Sequence, residues 1–103
     1  MTLTREYKET VLKRIQRDNR FAKALFTEAL NALLSGETEE GLSILRDLVN
    51  AKISFAELAR QTGFGKKSLH RMLSRRGNPT TRSLFAVIRA MDEDMGIHPR
   101  IVA

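Results

Sequence analysis

The chain has 103 residues, 42% of them apolar, and 18 Lys and Arg stand against 12 Asp and Glu for a net charge of +6. That length suits one domain with a modest core. The absence of cysteine excludes a disulfide scaffold, a thiol nucleophile, an iron–sulfur centre and a cysteine-based zinc site.

Two Pro and six Gly in a chain rich in Leu, Ala, Arg and Glu favour helices, and the periodicity predicts about six of them in an all-α fold. Tyr7, Val11, Leu12 and Ile15 predict the first, from about Thr4 to Arg17. Asp18-Asn19 ends it and caps a second, in which Phe21, Leu25, Phe26, Ala29, Leu30, Leu33 and Leu34 form a wide apolar stripe stopped at Ser35-Gly36. Thr38 is the expected cap of a third, with Glu39 and Glu40 in its first turn and Leu42, Leu45, Leu48 and Val49 on its buried face. Ser54 with Glu57 reads as a capping box that starts a short fourth helix at Phe55, interrupted by Gly63. A fifth covers about Lys66 to Leu73. Arg75-Arg76-Gly77-Asn78-Pro79 is a loop. Thr80 caps a sixth helix through Met91, with Leu84, Phe85, Val87, Ile88 and Met91 as its apolar face. In the tail, residues 92–103, Met95, Ile97, Ile101 and Val102 suit a short strand or an interface segment. The expected organisation is one helical domain over 1–103, with N-terminal helices at 5–50 as a candidate for dimer or protein-partner contacts, the basic helical region at 54–91 and the tail.

The charge is unevenly placed. Residues 1–50 carry eight bases and eight acids, whereas 51–103 carry ten bases and four acids. Between Glu57 and Asp92 lie 34 residues with eight bases and no acid: Arg60, Lys66, Lys67, Arg71, Arg75, Arg76, Arg82 and Arg89. Like charges in a folded segment repel, so a polyanionic partner is the expected compensation. Residues 24–50 are acidic, with one base and five acids, which suits a basic protein partner. No apolar run approaches the ~18 residues of a membrane span. The N-terminus lacks the apolar core of a signal peptide, so the expected location is the cytoplasm. Two histidines, His70 and His98, are too few for a His-rich metal site, and neither a metal nor another cofactor is expected.

Two short helices around a glycine turn inside the acid-free window suggest a helix-turn-helix. Ala59 is the small residue that lets the helices approach, Gly63 takes the turn, and Leu58, Phe64, Leu69 and Met72 anchor both helices. The second helix then points Lys66, Lys67, Ser68, His70 and Arg71 outward.

Residues 54–91 resemble the helix-turn-helix of phage-repressor (XRE-type) regulators, and more closely that of HigA-like antidote proteins of toxin–antitoxin addiction modules. The resemblance is carried by Leu58-Ala59-Arg60-Gln61-Thr62-Gly63, by Ser68-Leu69-x-Arg71-x-Leu73-Ser74, by Gly77-Asn78-Pro79-Thr80 and by Leu84 with its apolar helix. Phe26-Thr27-Glu28-Ala29-Leu30 and Leu45-Arg46-Asp47-Leu48 extend it over an N-terminal helical extension. Gly65 departs from the usual Ser at the start of the second helix, Phe55 from a Gln, and His70 from a Tyr, while Arg75-Arg76 makes the loop more basic. These departures bear on contact details and operator sequence.

The resemblance implies a recognition helix over Lys66–Leu73 and a DNA-binding regulator, an antitoxin that represses its own module. Lys66, Lys67, Ser68, His70 and Arg71 are then candidates for base edges in the major groove, with Arg71 suited to paired hydrogen bonds to guanine. Ser54, Arg75, Arg76, Asn78, Thr80 and Arg82 are candidates for phosphates. The implied partners are a palindromic duplex operator, a second copy of the chain and a small basic toxin, with the last helix and tail as the candidate dimer surface. Plainer alternatives stand beside these roles: solvation for Lys66 and Lys67, packing within the domain for His70, and an ion pair with the tail for Arg82. A regulator without a toxin and an adaptor that binds no DNA are the competing functions. Ser74, four residues after His70, lacks a nearby acid for catalysis.

Overall fold

The computed structural model describes residues 5–102, and within them the chain forms six α-helices and no strand. Helix α1 spans Arg5–Arg17, α2 Asn19–Leu34, α3 Thr38–Leu48, α4 Phe55–Thr62, α5 Lys66–Met72 and α6 Thr81–Met95. The expected start of the first helix at Thr4 lies outside the described residues. A π-helical segment, Val49–Ile53, follows α3 without a break; the sequence predicts only its first residue, Val49, as part of the third helix.

Local chemistry explains most boundaries. Asp18 caps α2 by accepting from the N–H groups of Arg20 and Phe21 at 3.0 and 3.1 Å. Thr80 caps α6 by accepting from Ser83 N–H at 3.1 Å. At α3 the expectation shifts by one residue. Glu37, not Thr38, is the N-cap, and no side chain caps this helix. Ser35–Gly36 closes α2 so tightly that Glu37 N–H already donates to Ala32 C=O, leaving Thr38 inside the first turn. Helix α6 runs four residues past the expected Met91, to Met95, because no breaker precedes Gly96, which ends it in the left-handed conformation at φ 65°. Beyond it the chain is not a strand: His98 N–H and Nδ1 both engage the Asp92 carboxylate and hold the tail against the end of α6.

One apolar core runs through all six helices. Phe26 is fully buried, together with Ile15 of α1, Leu42, Leu45 and Leu48 of α3, Leu58 of α4, Leu69 of α5 and Val87 of α6. Helices α2 and α3 form the most extensive pair, and α1 lies across them and the π-helical segment. Helix α4 joins this base to α5 and α6. Three residues of the expected apolar faces lie outside: Tyr7 of α1, Leu34 at the last position of α2 and Phe85 of α6 are 55%, 70% and 61% exposed. Among the described residues, no helix is long and apolar enough to cross a membrane.

Candidate nucleic-acid interface

The basic segment is built on α4. Ser54 Oγ accepts from Glu57 N–H at 3.1 Å, half of the expected capping box. The other half is absent. The Glu57 carboxylate turns away to Arg60 and Gln61, and Ser54 N–H donates to Val49 C=O at 2.7 Å. Hydrogen bonds from Arg60 and Gln61 lower the Glu57 pKa to about 2. At the other end, Thr62 Oγ1 donates to Leu58 C=O at 2.8 Å and accepts from Phe64 N–H at 3.3 Å. Gly63 ends α4 at φ 80°, a conformation that a β-carbon disfavours, and its N–H donates to Ala59 C=O at 2.9 Å. Three residues, 63–65, thus join α4 to α5, and Gly65 opens α5 with no side-chain cap.

Helix α5 is short and two-sided. Leu69 and the capping Leu73 are buried and Met72 half-buried, whereas Lys66, Lys67, Ser68, His70 and Arg71 are all exposed. The anchors behave accordingly: Leu58 is buried, Ala59 and Phe64 half-buried. His70 is held as well as exposed. Its ring stacks on Phe55 with centroids 3.8 Å apart and planes 17° from parallel. Phe55 therefore supplies a platform on which the His70 ring stacks. No sequence signal joins two residues fifteen positions apart. Ser74 Oγ donates to Arg71 C=O at 2.8 Å, so Ser74 and His70 are not a pair.

The loop from α5 to α6 carries the remaining candidates. Arg46 of α3, missed in the sequence, donates from Nη1 to Leu73 C=O at 3.2 Å and ties the end of α5 to the base. Arg75 lies 3.7 Å from Glu39, both side chains exposed, a contact that solvent screens. Arg76 and Asn78 are exposed. Thr80 donates its hydroxyl proton to Ser83 Oγ at 2.9 Å, so its side chain serves α6 first. The N–H groups of Thr81 and Arg82 remain without intrahelical acceptors at the helix start. Ser54 is likewise committed to its own cap.

Ion pairing sorts the bases of the acid-free window. Arg60 is paired with Glu57 and Arg89 with Glu93 at 3.5 Å. Among the described residues, Lys66, Lys67, Arg71, Arg76 and Arg82 have no acidic partner, and Arg82 does not meet the tail. The described residues hold no group of three side chains able to share a metal ion.

The fold and this surface define a small all-helical protein with a short, outward-facing basic helix. Residues 6–99 match the family described as "probable addiction module antidote protein", and the chain belongs to that family. No curated protein and no solved structure matches the chain.

Proposed function

We propose that the chain is a sequence-specific DNA-binding regulator, the antitoxin and autorepressor of a toxin–antitoxin module, with α4 and α5 acting as an XRE-type helix-turn-helix of the HigA-like kind. The observation that carries this reading is the outward face of α5, where Lys66, Lys67, Ser68, His70 and Arg71 are all exposed and neither lysine nor Arg71 is neutralised among the described residues. A seven-residue helix fits the major groove of duplex DNA, where Arg71 donates to guanine and Ser68 and His70 supply adaptable hydrogen bonds. The Phe55 stack favours one orientation of the His70 ring before DNA arrives.

Arg76, Asn78 and Arg82, with the open N–H groups at the start of α6, meet phosphates and set the salt dependence. Arg75 exchanges its exposed contact with Glu39 for a phosphate. One such unit reads half an operator, so two copies bind a palindrome. Family membership supports a toxin as the second partner. The acidic stretch over residues 24–50 suits a basic one: Glu37, by hydrogen bond and by charge, and to a smaller extent Glu28, hold the Glu40 carboxyl above its usual range.

Selection from a random duplex library tests the reading. Enrichment of one palindromic sequence is expected, and recovery of no sequence above background overturns it.

A further inference from the structure

A second basic surface lies outside the helix-turn-helix, at the corner where α1 meets α2. Residues 13–23 hold five bases, Lys13, Arg14, Arg17, Arg20 and Lys23, against one acid, Asp18. All five bases are exposed. The Asp18 carboxylate is occupied, because it accepts from the N–H groups of Arg20 and Phe21. Among the described residues none of the five bases forms an ion pair. The spacing explains this in part: no acid stands three or four residues from Arg17, Arg20 or Lys23. Arg14 is oriented by its guanidinium, 4.0 Å from the centre of the Phe21 ring, and the stack leaves its N–H groups open. Helix stability does not account for the accumulation. Arg14 and Arg17 suit the last turn of α1, where the helix dipole favours cations. Arg20 stands in the first turn of α2, where the dipole disfavours them, and Arg17 and Lys23 add like charge three residues away on either side. A sixth base comes from another element. Lys52 of the π-helical segment donates to Asn19 Oδ1 at 2.7 Å, which ties the start of α2 to the chain two residues before Ser54, the cap of α4. Lys23 and Lys52 line one hollow of about 230 Å³, and Asp94 enters it without coming within ion-pair distance of either.

We propose that this corner is a second phosphate-binding surface, on which Arg14, Arg17, Arg20, Lys23 and Lys52 hold the backbone of the operator duplex beside the stretch that α5 reads. The first helix of a helix-turn-helix crosses the DNA backbone, so the segment that leads into α4 lies next to phosphates, and Lys52 belongs to that segment. The corner continues the same track through the Lys52–Asn19 contact. Its donors are side chains from three elements rather than the end of α2, whose first N–H groups Asp18 already takes. Phosphates offset the repulsion among the bases, and release of their counterions supplies affinity. Contacts of this kind carry no sequence information, so the corner adds affinity and fixes orientation without altering the preferred sequence. The proposal rests on the DNA-binding reading of the proposed function and lengthens the bound site beyond the reach of α5.

Titration of the library-selected duplex, with flanking sequence at both ends and at stepped salt concentrations, tests it with the full chain and an Arg17→Ala, Arg20→Ala, Lys23→Ala variant. Each lost phosphate contact lowers the slope of log affinity against log salt by about 0.9, so the variant is expected to lose roughly 2–3 in slope and at least about tenfold in affinity near 0.1 M salt. Its ranking of operator sequences is expected to match that of the wild type. Arg20→Ala with Lys23→Ala alone is expected to melt no lower than wild type, since it removes cations from the start of α2. A lower melting temperature with unchanged duplex affinity would give these side chains a structural role and overturn the proposal. A folded triple variant with wild-type affinity and slope overturns the corner while leaving α5 as the reading helix. A triple variant that keeps the duplex but loses a single-stranded RNA of the same length also overturns it and assigns the surface to RNA. A wild-type chain that binds no duplex overturns the DNA-binding reading itself, and this surface with it.

Discussion

A β-carbon at Gly77 would stand 2.1 Å from the carbonyl oxygen of Met72 and 2.9 Å from that of Arg71. Both are backbone atoms and cannot swing aside, so the loop carrying Arg75, Arg76 and Asn78 must move away from α5. Gly77→Ala is therefore expected to lower the unfolding free energy by roughly 1–3 kcal/mol, as overpacking does, and urea denaturation measures it. The sequence marks this position as a loop through Gly77-Asn78-Pro79, but it contains no sign of the close approach, which depends on where α5 ends. Glu57 shows the opposite case. Its bonds to Arg60 and Gln61 lie three and four residues along one helix, a spacing legible in the sequence itself. Because its folded pKa falls from 4.5 to about 2, its contribution to stability is complete above pH 4.5 and is lost as pH falls towards 2. Glu57→Gln is expected to flatten the acid limb of stability against pH in that window. Thermal denaturation at stepped pH checks it, and an unchanged limb would contradict the assignment.

At the scale of elements, the junction between α3 and α4 is the least regular part of the molecule. Val49–Ile53 winds as a π-helix, buries Val49 and Ile53 together, and passes directly into Ser54 at φ 81°, ψ 151°. A non-glycine residue in that region carries strain of about 1–3 kcal/mol, while its side chain caps α4. The two effects separate by substitution. Ser54→Ala keeps the strain and loses the cap, so it is expected to destabilise by about 1 kcal/mol. Ser54→Gly relieves the strain, and glycine is a tolerable cap, so it is expected to be at least as stable as wild type. Denaturant midpoints of the two variants check this ordering. Caps that act within three residues, Asp18 and Thr80, are legible in the sequence, as are Gly63 and the apolar stripes of α2 and α3. The π-helical segment is not, since its bonds depend on how α3 docks. The exposure of Phe85 is hidden for a related reason: helical periodicity includes it in a broad apolar stripe and cannot tell the stripe's centre from its edge.

For the whole molecule, the division of charge seen along the chain becomes a division of surface. Glu28, Glu37, Glu39 and Glu40 lie on the later part of α2 and around the start of α3, whereas α1 and the start of α2 are basic and further bases without acids gather on α5 and the start of α6. Most of the candidate interface is legible in the sequence because exposure on a seven-residue helix follows from two or three apolar anchors, here Leu69, Met72 and Leu73. Which bases are already neutralised is only partly legible. Arg60 and Arg89 find acids on their own helices, but the Arg75–Glu39 contact spans the fold. The central claim is that α5 reads duplex DNA. Its most direct test is a binding titration of the library-selected duplex by the wild-type chain and by a Lys66→Ala, Lys67→Ala, Arg71→Ala variant, at one salt concentration and with folding verified by circular dichroism. The variant is expected to bind at least about a hundredfold more weakly, as the loss of several charge-assisted contacts requires. Equal affinity in a folded variant would contradict the claim.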